Sequence, residues 1–223
     1  MIPKSGVALG AFPKVEFFIG GGGDKGDWIT NVTRATGIMG DVRDYREGSS
    51  SGITCYYYGH EDQDLVLSMI KGNWRSGAFK SIRLTGHSWG GQAVMDLTQD
   101  LFHASIPVDE LITLDPVSMF PFSKVIAGKW VNVYCKQSIM DNTIGAVPVI
   151  GNAVSALTSW VGQAGEDTNS SDYIANVGGQ LGSENGAHNI EMNITHADAM
   201  HMYKKARAEM ANAPLNPKAI GIR

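Results

Sequence analysis

The chain is poor in cysteine, in charge and in long apolar runs, and each shortage removes a class of protein. Two cysteines in 223 residues, Cys55 and Cys135, do not make a disulfide framework. Each sits in an apolar, strand-like run, where a thiol behaves as a small buried hydrophobe. Charged residues are 18% of the chain and the net charge is −4. No basic patch or arginine run stands out, which argues against nucleic acid as a partner. The amino-terminal stretch MIPKSGVALGAFPK has neither a long apolar core nor a secretory cleavage site. No signal peptide is read, and the expected location is the cytoplasm of the producing cell. The sequons at Asn31, Asn169 and Asn193 then carry no weight.

What is present is a globular composition, 43% hydrophobic over a length that suits one domain, residues 1–223. Six short runs read as strands: 14–20, 52–59, 81–86, 110–115, 129–135 and 189–195. Several are continuous β-branched and aromatic runs, as strands buried on both faces are. Helical periodicity lies between them. Residues 61–74 place Leu65, Met69 and Ile70 on one face, and 90–104 place Val94, Leu97 and Leu101 together. Residues 196–213 carry acid early and lysine later, and stop before Pro214. Strands alternating with helices predict an α/β fold of about six mostly parallel strands flanked by helices.

Two stretches fit the pattern G-x-S-x-G: GSSSG at 48–52 and GHSWG at 86–90. The first follows the polar run DVRDYRE and has no strand before it, so it reads as a loop. The second has the strand SIRLT leading in and a helix leading out. A serine nucleophile needs that context, because a sharp strand-to-helix turn exposes the hydroxyl and the helix N-terminus offers amides to an oxyanion. Ser88 is the candidate nucleophile. Its acid and base should follow on loops after later strands, in the order Ser…Asp…His. Asp115 ends the strand LITLD ahead of Pro116, with Asp141 after the next strand as the alternative acid. His196 follows the last strand and is expected to open the last helix, where the base belongs. His188 precedes that strand, and His201 lies more than a turn into the helix. His87 is read as a packing or hydrogen-bonded histidine, and His60, which ends the second strand on the active-site edge, either as lining the site or as a solvated loop residue.

The first strand runs into IGGGGDKGD. Consecutive glycines cost backbone entropy. A phosphate loop would need Gly-Lys-Ser/Thr, which is absent. A glycine-rich oxyanion loop fits the position, with amides of Gly21 and Gly22 joined by Trp89. Residues 142–163 hold no charge, but Pro148 and the interior Gly145 and Gly151 interrupt a membrane span. Segment 142–165 reads either as a core helix plus loop or as a lid or lipid-facing element, in which Val154, Leu157 and Trp160 would bind the substrate at a membrane surface.

Together FFIGGGGDKGD, LTGHSWGG, LITLDPVS, WVNVY and GAHNIEMNITH resemble the α/β-hydrolase superfamily over residues 14 to about 205. Within it they resemble bacterial lipase-like hydrolases, including type VI secretion lipase effectors. That resemblance implies Ser88 as nucleophile, Asp115 as acid and His196 as base. It implies a lipid or other ester substrate, with no metal and no cofactor. For an effector it implies export without a signal peptide and a cognate immunity protein. The chain departs from the lipase pattern in carrying Ile19 where the glycine loop has its leading histidine. An esterase or thioesterase on a small acyl substrate, or a non-catalytic binding module that keeps the turn, are the other readings.

Overall fold

The computed structural model describes residues 14–22, 24, 36–49, 52–118, 124–136, 181 and 186–220. Among the described residues six strands form one sheet: β1 (Lys14–Gly20), β2 (Ile53–Gly59), β3 (Ser81–His87), β4 (Glu110–Leu114), β5 (Lys129–Cys135) and β6 (His188–Met192). Their order is β2-β1-β3-β4-β5-β6 and every pairing is parallel. The α/β class expected from the sequence is therefore the one the chain adopts.

Alternation along the strands divides the apolar side chains between two faces. Val15, Phe17 and Ile19 of β1, with Ile82 and Leu84 of β3, meet α2 (Gln63–Arg75) and α3 (Trp89–His103). Phe18 of β1, Ile112 and Leu114 of β4, and Val131 and Val133 of β5 meet α1 (Ile38–Ser49) and α4 (Ala199–Glu209). Burying both faces explains why these strands read as continuous apolar runs. A short helix, α5 (Pro217–Ile220), follows near the carboxyl end. Both cysteines are buried thiols, and burial pushes Cys55 up to about 12.

Several elements differ from expectation. Helix α1 was not anticipated, because only Met39 and Val42 are buried in an otherwise polar stretch. Such a stripe is too thin to register as periodicity. In α2 the buried pair is Val66 and Ile70, while Leu65 is 57% exposed. One residue is about 100° of helix rotation, and a 3-10 turn at His60–Asp62 sets the phase. The last strand ends at Met192, not at Thr195. The last helix begins at Ala199, because Asp198 caps it by accepting from the His201 amide. In α3 the expected stripe of Val94, Leu97 and Leu101 is buried.

The chain leaves β1 outward to β2, returns past β1 to β3, and continues through β4 and β5 to β6. Right-handed crossovers in opposite directions place their helices on opposite faces. Accordingly α1 lies on one face and α2 and α3 on the other. The reversal leaves a crevice between the carboxyl ends of β1 and β3, where ligands bind in open parallel sheets.

Candidate active site

Ser88 stands at that crevice, between β3 and α3, with φ 57° and ψ −126°. A non-glycine residue there is strained by about 1–3 kcal/mol. The surroundings enforce it. The Ser88 amide donates to Leu114 O at 3.1 Å, and its carbonyl accepts from Gly91 N at 2.9 Å and Val117 N at 3.0 Å. Two glycines let the elements close in around the turn. A Cβ on Gly86 would lie 2.1 Å from Gly90 O, and one on Gly90 would lie 2.2 Å from Ile19 O. The Ser88 Oγ is buried and accepts or donates no hydrogen bond among the described residues. This is a nucleophile-elbow geometry. The turn sits in an α/β fold whose described strands form one all-parallel sheet covered by helices on both faces.

Asp115 follows β4 with φ 43°, a left-handed conformation that Asp tolerates better than most residues. One carboxylate oxygen, Oδ2, lies 2.5 Å from Nδ1 of His196, and Oδ1 accepts from Cys135 N at 3.1 Å. Both side chains are fully buried. Burial would raise the Asp115 carboxyl, but the hydrogen bond and charge of His196, with the Cys135 amide, outweigh it and hold the group below its usual range. A carboxylate can only accept, so Nδ1 carries the shared proton. That leaves Nε2 as the imidazole nitrogen able to take one. His196 lies in the turn Thr195–Asp198, closed by Asp198 N to Thr195 O at 3.1 Å, rather than opening the helix. The shift follows from the Asp198 cap.

His87 is buried, with its ring centroid 4.5 Å from that of His196. Its Nε2 lies 2.7 Å from the His196 carbonyl. A carbonyl accepts, so Nε2 is the protonated nitrogen. Burial first, and then the charge of His196, push His87 down to about 3. It is the hydrogen-bonded packing histidine that the sequence suggested, and it anchors the backbone of His196.

The glycine loop crosses the same crevice. A Cβ on Gly21 would lie 2.7 Å from Ser88 Cβ and 3.1 Å from Ser88 Oγ. Gly21 is therefore packed on the Ser88 side chain, with Gly22 next to it in a turn. Trp89 is the first residue of α3, where backbone amides lack helical partners.

A pocket of about 170 Å³ opens beside Trp89 and Val117. Ala93 adds to its apolar wall, with His60, Gln63 and Asp96 around it. His60 belongs to this wall and meets Trp89 edge-on at 5.5 Å, which favours the site-lining reading of this residue over the solvated loop. Its place after β2 put it on this edge of the sheet, while its contact with a ring on α3 has no local sequence signal. His201 is an exposed partner of Asp198 at 2.7 Å. His188 begins β6 at the amino end of the sheet, away from Ser88. The other serine motif joins the end of α1 to the amino end of β2, at the opposite edge from Ser88; Ser50 itself lies outside the described residues. Asp141, Val154, Leu157, Trp160 and the whole of 142–165 also lie outside the described residues. Among the described residues no helix is long and apolar enough to cross a membrane, and no three His, Cys, Asp or Glu side chains converge on a metal site.

No protein-family model matches the chain, and no curated protein matches it. Among solved structures it is similar to a protein described as a candidate hydrolase of the alpha/beta superfamily from Xanthomonas campestris pv. campestris. The TM-score is 0.43 at 12% identity, over 93% of this chain and 96% of that one. It is also similar to ESTFA in an iron-lacking apo form, with a TM-score of 0.43 at 11% identity, over 96% of this chain and 75% of that one. Similarity of that degree does not bear on chemistry, which rests on the side chains described above.

Proposed function

We propose that the protein is a serine hydrolase that cleaves carboxylic esters through an acyl-enzyme. The observation that carries this reading is the buried Asp115–His196 pair, joined at 2.5 Å, at the crevice that holds the strained Ser88. Ser88 Oγ attacks the ester carbonyl carbon while His196 Nε2 takes its proton. Asp115 holds the imidazole in the required tautomer and stabilises the imidazolium. Amides of Gly21, Gly22 and Trp89 stabilise the tetrahedral oxyanion. The intermediate collapses as the imidazolium gives its proton to the departing alkoxide. His196 then takes a proton from water as the hydroxide attacks the acyl carbon, and the imidazolium returns that proton to Ser88 Oγ as the Oγ–carbon bond breaks and the acid leaves.

Reaction with a fluorophosphonate probe tests this directly. One label per chain at Ser88, abolished in Ser88→Ala, is expected. A folded wild-type protein that takes no label sinks the reading and leaves a binding module in its place.

Lipids or phospholipids are the proposed substrates, with the apolar segment 142–165 receiving the chain. The pocket beside Trp89 favours a second reading, a short soluble acyl ester, since a cavity of this volume holds a group about the size of benzene. Turnover across an ester chain-length series separates the two. For a lipase, and for an exported lipase effector, lipid mass spectrometry of membranes treated with wild type should show loss of intact lipid that Ser88→Ala does not cause.

A further inference from the structure

The glycine loop poses a physical problem. Its amides are useful to an oxyanion only at about 2.7–3.1 Å from the developing charge, yet glycines have no side chains with which to hold a position and lose the most entropy when ordered. Something outside the loop must hold it.

Asp24 is buried at the far end of this turn. Its amide donates to Gly21 O at 3.2 Å, closing the turn over Ser88. Its carboxylate faces three donors from other elements. Oδ1 accepts from Thr36 Oγ1 at 2.8 Å. Oδ2 lies 2.9 Å from the Tyr57 hydroxyl of β2 and 3.2 Å from the Met39 amide in the first turn of α1. The Asp24 carbonyl accepts from Gly37 N at 3.1 Å, and the Tyr57 hydroxyl lies 3.1 Å from it as well. The carboxylate is folded under β1's last residue, since a Cβ on Gly20 would lie 2.0 Å from Oδ2. Burial raises the Asp24 carboxyl above its usual range, and the hydrogen bonds from Thr36, Tyr57 and the first amides of α1 work against that rise. The loop is thus pinned on one side by Asp24 to α1 and β2, and it presses on the other against Ser88 through Gly21.

We infer that Asp24 is the positioning residue of the oxyanion loop: it clamps the Gly21–Asp24 turn to α1 and β2 so that the loop amides stay in register with Ser88. The inference rests on the serine-hydrolase reading above. Asp24 acts through the loop and touches neither substrate nor Ser88. Its contribution is made in the transition state, where the oxyanion exists, and not in the ground state.

The test compares Asp24→Ala, Asp24→Asn and Tyr57→Phe with wild type on a soluble ester, alongside affinity for a boronic acid that forms a tetrahedral adduct with serine. Asp24→Ala should lower kcat by about 100-fold with KM within about twofold, the pattern left by a lost oxyanion donor. Boronate affinity should fall by a similar factor. Asp24→Asn keeps the shape and one acceptor oxygen, and should recover about tenfold of the loss. Tyr57→Phe removes a single donor and serves where Asp24→Ala does not fold; it should lower kcat several-fold at unchanged KM. Loss of stability with kcat per fluorophosphonate-labelled site unchanged overturns the inference, as does a rise in KM at constant kcat. Wild type that takes no label at all overturns the hydrolase reading and this inference with it. Wild type that labels while Asp24→Ala labels equally fast overturns this inference alone.

Discussion

His87 is a neutral imidazole, buried and hydrogen-bonded to the His196 carbonyl. Its value near 3, against about 6.5 for an exposed histidine, has a consequence for stability. Between those values the unfolded chain binds a proton that the folded chain does not. Stability contributed by the buried neutral ring is therefore complete above about pH 6.5 and is lost as pH falls toward 3, at up to about 1.4 kcal/mol per pH unit. Urea midpoints across that range should fall less steeply for His87→Gln than for wild type. Asp115 acts in a lower window. Its depressed carboxyl adds stability above its unfolded value that is lost as pH falls through its folded one. For catalysis Asp115→Asn should lower kcat by roughly 10⁴-fold with an unchanged circular dichroism spectrum, because the imidazole loses its oriented tautomer. At Ser88 the strain gives a different signature. Ser88→Gly relieves the positive φ and should melt higher than Ser88→Ala by about 1 kcal/mol of stability, with turnover abolished in both.

At the scale of elements, the turn from β3 into α3 is held by close approach, and a pair of substitutions isolates that effect. Gly90→Ala drives a methyl into the Ile19 carbonyl, a backbone atom that cannot rotate away. It should destabilise by about 2 kcal/mol or more and displace Ser88. Gly72 lies within α2, and its added Cβ meets nothing within 4 Å. Gly72→Ala should instead stabilise by about 0.5–1 kcal/mol, through helix propensity alone, and leave activity intact. Thermal melts of the two variants decide whether glycine content here reflects crowding or chance. The same contrast shows what local pattern can and cannot reveal. GHSWG was readable because a strand and a helix flank it in the chain. Helix α1 was not, because its stability comes from two buried side chains, Met39 and Val42, and from the Asp24 carboxylate at its start. Neither feature has a sequence period.

Across the whole molecule, a single buried carboxylate ties the sheet to two helices. Glu16, in the centre of β1, accepts from Thr85 at 2.8 Å, Tyr203 at 3.0 Å and Arg46 at 3.1 Å. These partners come from β3, α4 and α1. Arg46→Ala leaves an uncompensated buried charge and should cost about 3 kcal/mol. Adding Glu16→Gln removes that charge and should restore part of the loss, which a double-mutant cycle by urea unfolding measures.

Periodicity and turn chemistry alone determined the parallel α/β class, the six strands and the serine at the end of β3, because these depend on residues adjacent in the chain. The order Ser88, Asp115, His196 also came from counting strand ends. Which side chains meet was decided only by the fold. The sheet brings Asp115 and His196, 81 positions apart, to 2.5 Å. It turns His87 onto the carbonyl of His196 and packs Gly21 on Ser88. It makes Asp24 the anchor of a loop whose glycines cannot anchor themselves. Contacts between distant segments depend on where parallel strands end in space, and no local pattern in the chain encodes that distance.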